Sequence, residues 1–139
     1  MFCGRNLDNM AYSLTLVAVG GALGACLRFS VSLWFGSVLV LAGIPIAIVA
    51  CNVIGSFLMG GFLAYSDANS VEAWQEPLRL FMAVGLLGGF TTFSTFSLEV
   101  FQFISRKEYV WATAYAGGSV VLSLTAFGFG YYLFRGFSS

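Results

Sequence analysis

The chain has 139 residues, of which 59% are hydrophobic, 17% aromatic and only 9% charged, with a mean hydropathy of +0.90. A soluble domain carries about a quarter charged residues, so water is excluded as the solvent for most of this surface. Six Lys+Arg against six Asp+Glu leave no formal charge and no electrostatic footprint for nucleic acid, and the absence of His removes imidazole chemistry, Ser-His and Cys-His pairs and His-bearing metal sites.

These numbers define an all-α, polytopic membrane protein that is not an enzyme. About 20 apolar residues cross the ~30 Å hydrocarbon core as a helix, and four such spans form one membrane domain over residues 1–139. The first, about 11–34, is broken only by Arg28. The apolar run behind Arg5 and Asp8 exceeds the roughly 7–15 residues of a signal h-region and no A-x-A-like site closes it, so it reads as a retained span. The second, about 45–65, opens on Pro45, which a helix tolerates in its first turn. The third, about 78–105, follows Pro77, and the fourth runs about 109–134. Between them, 35–44 is apolar and interfacial, 66–76 (SDANSVEAWQE) is a wet loop, and Arg106-Lys107-Glu108 is a tight turn. Cys26 and Cys51 lack metal-ligand spacing and read as small membrane residues, and Cys3 as a loose terminal thiol.

Small residues recur four apart at Gly20/Gly24, Ser56/Gly60, Gly85/Gly89 and Ala114/Gly118, the spacing for close helix approach in lipid. Four helices enclose little interior, so these faces also suit oligomerisation. The cationic side chains divide evenly: Arg5, Arg79 and Arg135 on the N-terminal side, Arg28, Arg106 and Lys107 on the other. Topology is normally fixed by a Lys/Arg bias. Without one, either another signal orients the chain or it inserts both ways, and the second case gives antiparallel pairs of one chain.

Within the third span, Gly88-Gly89 weakens helix and precedes a run of hydroxyls, Thr91-Thr92-Phe93-Ser94-Thr95-Phe96-Ser97. A Gly-rich packing kink is one reading. The other is a discontinuous helix near the midplane, whose non-helical backbone survives only in protein or beside a watery cavity. Phe93 and Phe96 share a helix face, next to a polar stripe of Thr92 and Thr95 with Ser94 and Ser97 nearby. Core packing is the ordinary role of such rings, but phenyl edges are positive and accept a small anion, while hydroxyls and an amide donate to it. Asn52, mid-span in the second helix, supplies such an amide. Arg28 either snorkels or draws anions into a vestibule. Glu99 allows proton coupling, water access at a helix end, or a structural hydrogen bond.

These residues resemble the CrcB/Fluc family of small fluoride channels over essentially the whole chain. The resemblance rests on Gly88-Gly89-Phe90-Thr91-Thr92-Phe93-Ser94-Thr95-Phe96-Ser97 with Glu99, on Gly20-Gly21-Ala22-Leu23-Gly24 with Arg28, and on Asn52-Val53-Ile54-Gly55-Ser56-Phe57. It implies a passive fluoride channel of the cell membrane that relieves fluoride toxicity, built as an antiparallel dual-topology homodimer with two pores. It assigns Phe93 and Phe96 to an aromatic box, Asn52 to the pore amide, Thr92, Ser94 and Thr95 to the hydroxyl stretch, and Tyr115 and Ser119 to pore-lining positions on the fourth helix. It also implies a central structural Na⁺ on the backbone carbonyls of Gly88 and Thr91. Where the family commonly carries Gly-Thr before the Asn motif, this chain has Ala47-Ile48, removing a hydroxyl at the pore entrance. The rival from another class is a dual-topology multidrug/proton antiporter working through Glu99.

Overall fold

The computed structural model describes residues 7–38, 45–68 and 76–137. Cys3, Arg5, the connector over 39–44 and residues 69–75 of the wet loop lie outside them. Among the described residues all regular structure is helical. Helix α1 is Leu7–Val38 and α2 is Ile46–Ala68. Next, α3 comprises a π-wound segment, Arg79–Leu87, running into a single α-turn, Gly88–Phe90. Finally, α4 is Phe93–Ser105 and α5 is Tyr109–Phe137. Four stretches, Asn9–Phe35, Ile46–Ala68, Glu76–Ser105 and Tyr109–Gly136, are long and apolar enough to cross a membrane.

Helices α1, α2 and α5 run past the C-terminal apolar limits read from sequence, since main-chain hydrogen bonding continues through the residues at their ends whatever their polarity. Burial is inverted relative to a soluble domain. Large apolar side chains such as Leu33, Phe101, Val110, Val121 and Leu124 face outward, and the buried set is small, with Cys51 the most completely covered. Lipid accepts those faces without penalty; Cys26, by contrast, is exposed.

Two helix pairs carry most of the packing: α2 lies along α5, and α1 along α3. Three of the four small-residue motifs pack within these pairs, two of them back to back. Gly20 and Gly24 meet Gly85, Leu86 and Gly89 of α3, backbone against backbone, and Gly60 meets the main chain of Phe127 on α5. At Gly24 the approach is so close that any Cβ would strike the Leu86 carbonyl and stand 2.7 Å from the Phe90 nitrogen. The fourth motif behaves otherwise. Ala114 and Gly118 are exposed and Gly118 has open space beside it, so within this chain that pair packs nothing.

One element departs from the sequence reading. The first half of the third span winds as a π-helix, with the Gly88 N–H reaching the Ala83 carbonyl five residues back as well as that of Gly85. Beyond Phe90 the chain straightens: Thr91 (φ −82°, ψ 155°) and Thr92 (φ −151°, ψ 127°) are extended before α4 begins. At the far end α4 closes with a Schellman motif. The Lys107 N–H bonds Ile104 O at 2.9 Å, the Glu108 N–H bonds Phe103 O at 2.9 Å, and Lys107 takes a left-handed φ of 61°. This is the tight turn at Arg106-Lys107-Glu108.

Candidate functional site

Extending two residues between helices leaves main-chain groups without their usual partners. A continued α-helix would pair the Thr92 N–H with Gly88 O and the Thr95 N–H with Thr91 O. Neither bond forms. The Thr92 N–H donates instead to Asn52 Oδ1 at 2.8 Å, and Asn52 Nδ2 returns a bond to Thr92 O at 3.1 Å. Because a backbone N–H can only donate, this pairing fixes which end of the amide faces it. The Thr95 N–H goes to Thr92 Oγ1 at 3.3 Å, making Thr92 the N-cap of α4. Asn52 thus clasps the extended segment from α2, and one of its two amide hydrogens stays available for another acceptor.

The Thr92 hydroxyl also lies 3.2 Å from Ser94 Oγ and 3.3 Å from Thr95 Oγ1, a small hydroxyl cluster at the head of α4. Beside it opens a cavity of about 350 Å³ lined by Asn52, Thr91, Thr92, Phe93, Phe96 and Ser119, together with Ser56 and Ser123. Phe93 and Phe96 are centred 5.4 Å apart with their planes at 39°. Phe96 stacks on Tyr115 at 5.8 Å, and Tyr115 rests on Phe103 at 5.7 Å. Phe93 is 76% exposed at the open side of this chain.

Among the described residues, one buried hydroxyl stands apart. Hydroxyls elsewhere bond back to the carbonyl four residues earlier: Thr15 to Ala11, Ser30 to Cys26, Ser97 to Phe93, Thr113 to Tyr109 and Thr125 to Val121. That is how a polar side chain is satisfied in lipid without a partner helix. Ser119 does not follow suit. It is 6% exposed and lines the cavity, and its Oγ has no hydrogen-bond partner. A buried hydroxyl left open in this way calls for a ligand or water.

Other expected residues fall outside this cavity. Tyr115 is buried beneath the rings, and its hydroxyl donates to the Glu99 carboxylate in a short hydrogen bond. Thr95 and Glu99 line a second cavity, of about 180 Å³, reached from the opposite end of the bundle. Arg28 Nε donates to Gly89 O at 3.3 Å, joining α1 to the turn that precedes the extended segment. Ser94 and Ser97 are exposed. Sequence reading passed over Ser56, Ser123, Gln102 and Arg106 among the lining residues. For Ser123 the signal was present: with Tyr115 and Ser119 it completes an i, i+4, i+8 series on one face of α5.

Four helical spans with a hydroxyl-, amide- and phenyl-lined cavity beside an extended segment define a small polytopic membrane protein. Residues 15–131 match the family model described as "CrcB-like protein, Camphor Resistance (CrcB)", and the chain belongs to that family. It is 42% identical over 120 residues to a protein of Idiomarina loihiensis, covering 86% of this chain and 90% of the relative. It is 45% identical over 118 residues to one of Phenylobacterium zucineum, covering 82% and 88%. With one of Francisella philomiragia it shares 38% over 129 residues, covering 91% and 98%. Each relative is named "Fluoride-specific ion channel FluC".

Proposed function

We propose that this chain is a fluoride-selective channel of the cell membrane, exporting the ion passively and so relieving its toxicity. Membership of the family and the name its relatives carry support that reading. Within the chain, the observation that carries it is the orphan Ser119 hydroxyl facing a cavity edged by Phe93 and Phe96.

Stripping a small anion of water costs tens of kcal/mol in a low-dielectric medium, so its passage demands replacement donors that hold it weakly and in sequence. Ser119 offers one unspent O–H, Asn52 one unspent N–H, and the Thr92, Ser94 and Thr95 hydroxyls a cluster that reorients by rotation about C–O bonds. The edges of Phe93 and Phe96 add positive potential without a donor. No Lys or Arg lines the larger cavity, which suits conduction, because a fixed cation there would hold the anion too tightly.

The reading includes a second copy. Phe93, exposed on one chain, becomes a pore element when an antiparallel copy covers it, and the even division of Lys and Arg suits insertion in both orientations. Two such copies give two pores, with the interrupted third spans crossing near the membrane midplane. A structural Na⁺ fits the donors present at that crossing. The Gly88 and Thr91 carbonyls are among those that lose their helical N–H partners at the break, those N–H groups going to Asn52 and to the Thr92 hydroxyl, and hard carbonyl oxygens suit a hard cation. The ion would supply charge to bind the two interruptions together.

The direct test is Ser119→Ala in planar-bilayer recording. Unitary fluoride current falls severalfold while the protein elutes as the wild type does. A current equal to wild type would remove Ser119 from the path. Glu99→Gln separates the antiporter reading, since a channel retains fluoride current and a carboxylate-driven antiporter loses all transport.

A further inference from the structure

On α4, Thr95, Glu99, Gln102 and Arg106 are spaced four, three and four apart, one continuous helix face. All four line the 180 Å³ cavity, with Pro45 and Phe103 among its walls. Thr95 belongs to the hydroxyl cluster at the head of α4, and Arg106 caps the other end of the same helix. The stripe therefore runs from the interrupted segment to the end of the bundle that bears the α4–α5 turn. The larger cavity leaves the same segment in the opposite direction, alongside Ser119, Ser123 and Phe127 of α5. Between the two cavities stand the Phe96 and Tyr115 rings.

We infer that Arg106 and Gln102 form the second mouth of the anion path, Arg106 by setting the sign of the mouth and Gln102 by passing the ion inward to Thr95. The inference rests on the fluoride-channel reading above. Charge bookkeeping in the smaller cavity makes Arg106 necessary. Among its lining residues, Glu99 is the one carboxylate and Arg106 the one cation. The Tyr115 hydroxyl holds Glu99 at the inner part of the stripe. Without Arg106 the cavity carries net negative charge and repels the anion it must admit. With it the cavity is neutral overall and positive at its outer rim, the polarity that draws an anion in. Between the two, Gln102 offers amide N–H donors on the same face, one helical turn from each.

Planar-bilayer recording at fixed fluoride concentration, with ionic strength raised by an impermeant salt, tests this. For Arg106→Gln, unitary fluoride current falls about threefold at roughly 0.05 M ionic strength and approaches wild type near 1 M, where the screening length is only about 3 Å. Arg106→Lys retains most of the current. Lys107→Gly, which removes the neighbouring charge at a position already left-handed, leaves it unchanged. Arg106→Cys reads the charge within one folded protein: a cationic thiosulfonate raises its current and an anionic one lowers it, with treated wild type as the control. If wild type conducts and Arg106→Gln matches it at every ionic strength, or both reagents act alike on Arg106→Cys, the inference fails and the channel reading stands. No fluoride current from wild type overturns the channel reading itself.

Discussion

Asn52→Leu removes the clasp on the extended segment while nearly preserving side-chain volume. Two hydrogen bonds vanish together, from the Thr92 N–H at 2.8 Å and to Thr92 O at 3.1 Å. Helix cannot replace them, because Thr91 and Thr92 are extended. Leaving a buried polar group unpaired costs about 1–3 kcal/mol. The adjoining cavity lets water reach part of the site, which puts the loss for the two groups at about 2–4 kcal/mol. Set against a native stability of roughly 5–15 kcal/mol, that is a large fraction. Purified Asn52→Leu, heated in detergent and followed by fluorescence-detected size exclusion, melts well below wild type, and the protein surviving at low temperature carries little fluoride current. An Asn52→Leu protein that melts with wild type would mean that the clasp contributes nothing to holding the extended segment.

Gly24→Ala pushes α1 off the Leu86 carbonyl, where no flexible side chain exists to yield, and lowers the same melting midpoint by several degrees, whereas the neighbouring Gly21→Ala, whose nearest contact is 4.0 Å away, changes it little. Lys107→Gly relieves a left-handed residue of φ 61° and raises stability by about 0.5–1 kcal/mol in the same assay. Phe96→Ile withdraws a ring edge from the cavity and its stack on Tyr115, and Asn52→Asp surrenders the amide donor. Each lowers unitary fluoride current, while cross-linking still yields the same oligomer as wild type.

Hydropathy made the four spans legible, because lipid demands a long apolar helix whatever its neighbours do. The glycine pairs at 20/24 and 85/89 were legible for the same reason: only small residues permit the backbone contact seen between α1 and α3. The interruption at Thr91–Thr92 could be anticipated from Gly88-Gly89 and the hydroxyls behind it. What holds it open could not. Asn52 reads in sequence as a lone donor, and its pairing with Thr92, 40 residues away, exists only once α2 and α4 are side by side. The π-winding of Arg79–Leu87 has no compositional signature, and the outward face of Ala114/Gly118 shows that spacing alone does not name the partner surface. Tyr115 illustrates the same limit: its place on the α5 face is readable, but its cover by Phe96 and its bond to Glu99 are tertiary facts.

The most direct measurement is anion efflux from liposomes holding the purified protein, followed with a fluoride-selective electrode and, in parallel, a chloride electrode. A fluoride-selective channel releases fluoride rapidly once the membrane potential is shunted, with chloride retained. Chloride leaving as fast as fluoride, or fluoride held as in protein-free vesicles, would contradict it.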